Sequence, residues 1–380
     1  MSTSSRSTDV AVVGGGIMGL AIAWRLATDG FGVTVIERGE TGQEASWAAA
    51  GMLVPDCEFE ETTFFSSACR QSLRMYPAFV EALEAESGSR IDFRRFGTLY
   101  PAFDNRDQKN LEARLCRQRQ EGVAVHSLTL KEVRRLEPNL TSKVQMALYY
   151  PENNQVENRD VVKALRVAAE RVGAEIRPHT EALGVLYDTE CVRGVETATG
   201  TVGADIVINA TGSWSRYLSG LPGVCSPPVR PVRGQMLALS VVGDPPFRHT
   251  IYSSKAYLVP RTSGRLLVGA TVEEAGFKNH VTATGALRLL RDAIEVAPAL
   301  RDFPIESMWA GLRPATPDGW PVIGPTPLKG LYLATGHYRN GILMAPLTAA
   351  WMAEMLTGGE VPPAARPFLL ERFHASAPPA

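Results

Sequence analysis

The first chemistry legible in the chain lies near its amino end. Val10-Ala-Val-Val-Gly14-Gly15-Gly16-Ile17-Met18-Gly19 spells G-x-G-x-x-G. Gly14 permits a tight turn, Gly16 lets backbone approach a pyrophosphate, and Gly19 lets a helix pack close to a strand. The free N–H groups and positive end of the following helix then face the phosphates. Glu37 lies 23 residues after Gly14, at the end of a second apolar run. A carboxylate there accepts hydrogen bonds from an adenosine ribose. The glycine pattern alone is weak, because a surface turn can also spell it. Here a strand before it, a helix after it, a second strand and a terminal acid all agree on a dinucleotide. The pattern does not choose between NAD and FAD, although Glu37 disfavours NADP because it would repel a 2′-phosphate.

Regular elements must position that loop. Residues 9–13 read as a buried strand, 17–29 as a helix with Ile17, Leu20, Ala21 and Trp24 on its inner side, and 33–36 as a second strand. This strand–helix–strand unit opens a parallel sheet. Residues 55–145 carry amphipathic helices, such as 72–85 with Leu73, Tyr76, Val80 and Leu83 on one face. Thr129-x-x-Glu132 is a capping box, and the helix 159–172 ends at Gly173. Short strands follow at 183–187, 191–197 and 201–209, the last running into Ala210-Thr211-Gly212. Between 228 and 272 the alternation predicts antiparallel strands at 234–240, 255–260 and 265–270. A last buried strand at 330–334 precedes a helix at 346–356, with Pro346 in its first turn. The class is α/β. A Rossmann-type parallel-sheet domain comprises 8–54, 146–227 and 310–365, and an interleaved antiparallel-sheet domain comprises 55–145 and 228–309.

Composition fits this picture. The 380 residues are 45% hydrophobic, with 39 basic and 40 acidic side chains. A net charge of −1 gives no support for nucleic-acid binding or for a polybasic membrane surface. The uncharged stretch 10–24 is too short to span a bilayer and is broken by four glycines. Five cysteines, odd in number and without C-x-x-C, argue against a disulfide framework and a structural metal; they are expected as free thiols in the cytoplasm. Residues 1–7 and 375–380 are expected to be disordered tails.

Three further motifs carry a resemblance. Glu44-Ala45-Ser46-Trp-Ala-Ala-Ala50-Gly51-Met52-Leu53 resembles the flavin loop of the D-amino-acid-oxidase superfamily, and most closely that of its glycine oxidases of thiamine biosynthesis. Trp309-Ala-Gly311-Leu-Arg313-Pro-Ala-Thr-Pro-Asp318-Gly319 and Gly336-His337-Tyr338-Arg339-Asn340-Gly341-Ile342-Leu343 are similar to that family's C-terminal patterns. So is Lys255-Ala-Tyr257-Leu-Val-Pro260-Arg261, with Gly269-Ala-Thr271 after it. The resemblance spans residues 8–360 in the same order. It implies a D-amino-acid-oxidase-like fold, an FAD-binding domain and a substrate domain. Ile17, Met18, Glu37 and Arg38 then match positions at the pyrophosphate and adenosine, with Ala45, Ser46 and Gly212 beside the cofactor and the Ala182 backbone at the adenine. The main chain of Ala50, Gly51 and Met52 would lie along the flavin, where bulky side chains would not fit. The segment from His337 through Tyr338, Arg339, Asn340, Gly341 and Ile342 to Leu343 would wrap the pyrimidine end. The dipole of the helix after it would stabilise negative charge there.

The resemblance also implies a substrate site. Arg313 would grip an amino acid's carboxylate with two parallel N–H donors, the Tyr257 hydroxyl would donate to the same carboxylate, and Arg339 would be a second arginine. Fixing the carboxylate sets Cα over the flavin. Hydride transfer from Cα to N5 would give an imine, then a 2-oxo acid (glyoxylate from glycine) and ammonia, while dioxygen is reduced to hydrogen peroxide; no side-chain base is required. FAD is expected to be non-covalent, because no cysteine follows Cys225. Two pocket positions depart from the family pattern: Lys255 stands for a histidine, and Val272, near Met52, stands for a longer methionine. Val54 and Cys57 are bulkier than the pattern leads one to expect. Two alternatives stay open at this point, a D-amino-acid dehydrogenase that reduces a quinone and a flavin-binding protein without amine turnover. By analogy the assembly is a homo-oligomer, as a tetramer.

Overall fold

The computed structural model describes residues 7–241 and 243–374. The expected tails fall outside the described residues, except Ser7, which opens the first strand.

Five strands run parallel in the order Glu175–Arg177, Val33–Ile36, Ser7–Val13, Gly200–Asn209 and Leu331–Thr335. Val322–Pro325 adds an antiparallel edge, and the hairpin Ala182–Tyr187/Val192–Thr197 pairs with the first half of Gly200–Asn209. A parallel sheet is covered on both faces, so its strands read as continuous apolar runs. On one face Val10, Val12, Val33 and Val35 meet the helices Ile17–Thr28, Asn158–Arg171 and Gly341–Gly358. On the other, Ala11, Val13 and Ile36 meet Val185, Val195 and Leu218.

The last helix begins at Gly341, so Pro346 sits at its sixth residue and not in the first turn as the sequence predicted. A proline there lacks the N–H that would bond the carbonyl four residues back, Ile342 O. The Tyr76 hydroxyl donates to that carbonyl at 2.9 Å, and Ser72 Oγ donates to Leu343 O at 2.6 Å. Both donors lie on the helix Phe64–Ser87, which starts eight residues before its predicted onset at 72 and is capped by Thr63. Burial pushes the Tyr76 phenol up, which keeps it a donor.

The second sheet has eight strands, in the order Ile305–Ala315, Arg230–Ser240, Arg265–Gly269, Tyr257–Pro260, Thr250–Tyr252, Thr98–Ala102, Met146–Tyr150 and His126–Thr129. Every pairing is antiparallel except that of Thr250–Tyr252 with Thr98–Ala102, where the two sequence insertions join. Alternate residues of Arg230–Ser240 face two cores. Leu237 and Leu239 pack with Leu289, Ala293 and Val296 of the helix Ala283–Val296. Met236 and Ala238 pack with Ala48, Ala50 and Trp309.

Strand pairing and core packing bear on the unit boundaries. Met146–Tyr150 and Ile305–Ala315 belong to the second sheet, while Phe64–Ser87 packs into the first core. Amphipathic spacing shows that a helix has an inner face but not which core meets it. We propose that residues 64–87 go with the parallel-sheet domain and that 146–150 and 305–315 go with the other.

Tyr76→Phe removes the donor to Ile342 O. Chemical denaturation should show a loss of about 1–3 kcal/mol, the cost of a buried unsatisfied carbonyl, whereas a loss under about 0.5 kcal/mol would mean that another group satisfies it.

Candidate functional site

Two cavities meet where the sheets adjoin. The first runs along the carboxyl ends of the parallel strands, the usual ligand position in such sheets. Gly14 turns with φ +107°. A Cβ there would lie 2.5 Å from Ala210 O, and one at Gly19 would lie 1.9 Å from Gly14 O. The helix Ile17–Thr28 thus stands as close to the sheet as bare backbone allows. Gly14, Gly16, Ile17 and Met18 line the cavity, with Gly19 packed behind them. Glu37 is fixed at the rim, accepting from Gly15 N at 2.7 Å and Gly39 N at 2.9 Å. Arg38 lies 3.8 Å over the Trp214 ring and pairs with Glu44 at 2.7 Å. Ala182 and Gly212 line the same cavity, as do Trp214 and Tyr217, which the sequence reading had not singled out. Close backbone approach, a helix N-terminus and an acid at the strand end together fit an extended dinucleotide.

Ala45, Ala49, Tyr338, Arg339 and Ile342 line both cavities and form their common wall. Ser46 Oγ accepts from Ile17 N at 3.0 Å, tying the segment 45–51 to the glycine loop. Three partners hold that segment's carbonyls; the sequence reading quoted Trp309 and Arg261 in motifs without this role and did not single out Asn158. Asn158 Nδ2 donates to Ser46 O at 2.7 Å, Trp309 Nε1 to Ala48 O at 3.0 Å, and Arg261 Nη2 to Ala50 O at 2.6 Å. The Arg261 side chain is 0% exposed, and burial pulls its pKa down to about 10, with Glu157 opposing. Gly311 is needed for the same close packing, since a Cβ there would lie 2.4 Å from Ala48 Cβ.

The second cavity brings together Arg313, Tyr257, Arg339, Lys255 and Val272 with Ala50, Gly51, Met52 and Asn340. Arg313 Nη1 donates to Thr271 O at 3.1 Å and Arg233 O at 3.4 Å. Its guanidinium lies over Gly234, where a Cβ would come within 2.3 Å of Nη1. Tyr257 pairs across the sheet with Gly269, where a Cβ would meet its hydroxyl at 2.3 Å. The Tyr257 hydroxyl donates to Met236 Sδ at 2.9 Å. Burial raises its pKa while Arg313 and Arg339 lower it, and the net direction is upward, so the phenol stays a donor. Glu58, also missed, is the one carboxylate among the described residues lining this cavity. Burial raises its pKa against the pull of Arg339, Asn340 and Arg313.

His337, Gly341 and Ile342 line the first cavity, whereas Leu343 is buried in the first core and lines neither. His337 Nε2 lies 3.1 Å from Thr348 Oγ1, and burial pulls its pKa down to about 3. It is therefore a neutral ring at physiological pH. Val54 lines the second cavity, while Cys57 is buried among Leu148, Tyr150 and Ala102, and burial pushes its thiol up.

Comparison with known proteins agrees with this geometry. Residues 9–355 match the FAD dependent oxidoreductase family. The chain belongs to that family. FAD is therefore its cofactor, and the fold is D-amino-acid-oxidase-like. The chain is 37% identical over 372 residues to the bifunctional protein ThiO/ThiG of Nostoc sp. (strain PCC 7120), covering 97% of this chain and 55% of that protein. It thus spans about half the length of that relative. It is 35% identical to a glycine oxidase of Pseudomonas aeruginosa, covering 93% of this chain and 96% of that protein. The crystal structure of glycine oxidase from Geobacillus kaustophilus superposes with a TM-score of 0.91 at 34% identity, over 96% of this chain and 99% of that one. Among the described residues no helix is long and apolar enough to cross a membrane.

The His337 pKa gives a pH prediction. Its folded value is below the unfolded one, so its contribution to stability is full above about pH 6.5 and is lost as pH falls toward the folded value, at up to about 1.4 kcal/mol per pH unit. Unfolding curves between these limits should be shallower in pH for His337→Asn; an unchanged slope would assign the titration elsewhere.

Proposed function

We propose that this family member is an amine oxidase that deaminates glycine and other small primary or secondary amines, such as sarcosine and small D-amino acids. The observation that supports the reading is the placement of Arg313 and Tyr257 in a cavity sharing a wall with a dinucleotide cavity. The names of the relatives point the same way. FAD, when bound, would supply the two-electron redox chemistry by which the substrate loses two electrons and two hydrogens, one from Cα and one from nitrogen, and dioxygen is reduced to hydrogen peroxide.

The chain's own residues bind, orient and exclude. Gly14, Gly16, Ile17 and Met18 would cradle the pyrophosphate, with Gly19 packing the helix against the sheet behind them; Glu37 and Arg38 would hold the adenosine, and Ala182 and Gly212 would flank it. Ala45, Ser46, Ala50, Gly51 and Met52 would hold the ring along one wall, with residues 337–342 at its pyrimidine end; Leu343 would act only through packing. Arg313 keeps donors free beyond the Nη1 hydrogen bonds, and these grip the substrate carboxylate with Tyr257. Charge-assisted paired hydrogen bonds are both strong and directional. Orientation of Cα toward the wall 50–52 then supplies rate. Tyr257 is held protonated and His337 neutral, so neither removes a proton. The imine product hydrolyses to a 2-oxo acid and ammonia, or to the 2-oxo acid and a primary amine (methylamine from sarcosine) when the substrate is a secondary amine. FAD is held non-covalently, since no cysteine follows Cys225. A role in thiamine synthesis, implied by the resemblance, and assembly as a homo-oligomer belong to the same proposal.

Mixing the holoprotein with glycine or sarcosine without air should bleach the flavin absorbance, and readmitted air should give peroxide and the 2-oxo acid. No bleaching by glycine, sarcosine or D-alanine would contradict the reading, and turnover only with an added quinone would favour a dehydrogenase. Arg313→Leu should lower kcat/KM about 100-fold and Tyr257→Phe about tenfold, consistent with hydrogen bonds to a charged group, while both keep the bound-flavin spectrum.

A further inference from the structure

We propose that Arg261 is a positioning residue that raises the reduction potential of the flavin by holding the Ala50–Gly51 peptide with its N–H turned to the ring. This rests on the placement of that ring along residues 50–52. Arg261 lines neither cavity, and it is fully buried. A guanidinium is costly to take out of water, so its burial calls for a task. The ion pair with Glu157 is a poor one. Nε approaches that carboxylate at 3.4 Å but has no hydrogen-bond partner among the described residues, and Arg265 holds the same carboxylate at 3.0 Å.

The shortest hydrogen bond of the side chain goes to backbone. Nη2 donates to Ala50 O at 2.6 Å, while Nη1 donates to Gln155 Oε1 at 3.1 Å. A trans peptide carries C=O and N–H on opposite edges of one plane. Fixing Ala50 O on Arg261 therefore turns the Gly51 N–H the other way. Arg261 stands outside the cavity that Gly51 lines, so that N–H is turned toward the cavity. The Gly51 carbonyl accepts from Val156 N at 2.9 Å, but among the described residues Gly51 N donates to none. Glycine is what lets the guanidinium reach this peptide. Gly51 has φ +62°, and a Cβ there would lie 3.0 Å from Arg261 Nη2 and 1.9 Å from Val156 O.

The consequence is electrostatic. A hydrogen bond from a cation fixes the carbonyl and polarises the whole peptide, which strengthens its N–H as a donor. A donor fixed in advance needs no reorganisation when negative charge arrives. Reduction leaves negative charge on the ring, so this donor favours the reduced ring over the oxidised one. Burial pulls the Arg261 pKa down to about 10, which leaves the guanidinium charged at neutral pH.

The test is reduction of the holoprotein in equilibrium with a reference dye, without air, which needs no amine. Arg261→Met should lower the reduction equilibrium constant about tenfold, the size of one hydrogen bond to a charged group, or about 30 mV for a two-electron couple. Arg265→Met removes the same charge from beside Glu157, but the Arg265 side chain bonds to Ser263 and Glu157 and not to segment 45–51. It should lower the constant clearly less, by about twofold, as for a partly exposed charge. Arg261→Lys keeps a cationic donor and should lose less than Arg261→Met. An unchanged constant in Arg261→Met, or equal falls in Arg261→Met and Arg265→Met, would overturn the proposal. Should Arg261→Met fail to fold or to hold FAD, a crystal structure of the unaltered holoprotein decides: Gly51 N within hydrogen-bonding distance of a ring atom supports the assignment, and Gly51 N directed elsewhere refutes it. If no amine bleaches the flavin, the oxidase reading fails by itself, and the dye equilibrium still reads the role of Arg261.

Discussion

A guanidinium aimed into a cavity is the interaction on which this molecule's site depends. Arg313 is useful only if its charge is held still and its free donors point inward. The chain achieves this by leaving bare backbone beneath it at Gly234 and by offering the carbonyls of Thr271 and Arg233 to one nitrogen. Fixed donors of this kind need no reorganisation when an anion arrives. Tyr257 is placed by the same device, a glycine across the sheet, so the strands carrying the two side chains are shaped for them.

The wall opposite is held as firmly. Segment 45–51 receives donors from Asn158, Trp309 and Arg261, three separate parts of the chain. The strand Arg230–Ser240 serves both the core behind the sheet and this wall, so packing in one is transmitted to the other. The buried Arg261 is costly to desolvate, and its hydrogen bonds to Ala50 O and Gln155 Oε1 and its approach to Glu157 offset part of that cost.

Much of the fold was legible because its signals are local. The glycine loop, Glu37 and the first strands are fixed within a window of about thirty residues, where period and turn chemistry decide. The start of the last helix was not. Pro346 argues for a first turn until Tyr76, 266 positions from Ile342, supplies the donor that its interior placement requires. Likewise the roles of Gly234 and Gly269 exist only in the strand register. Glu58 enters the cavity because Arg114 and Gln118, more than fifty positions away, grip the Asp56 and Cys57 carbonyls. Arg313, Tyr257 and the segment 337–342 were found through motif resemblance, and the fold brings Arg313, Tyr257, Tyr338, Arg339, Asn340 and Ile342 to one cavity.

The most direct measurement is a crystal structure of the holoprotein with methoxyacetate, which matches sarcosine in size but lacks the amine. Its carboxylate should lie within hydrogen-bonding distance of both the Arg313 guanidinium and the Tyr257 hydroxyl, with the adjacent methylene facing residues 50–52. A carboxylate bound instead to Arg339 alone, or outside the cavity, would contradict the account.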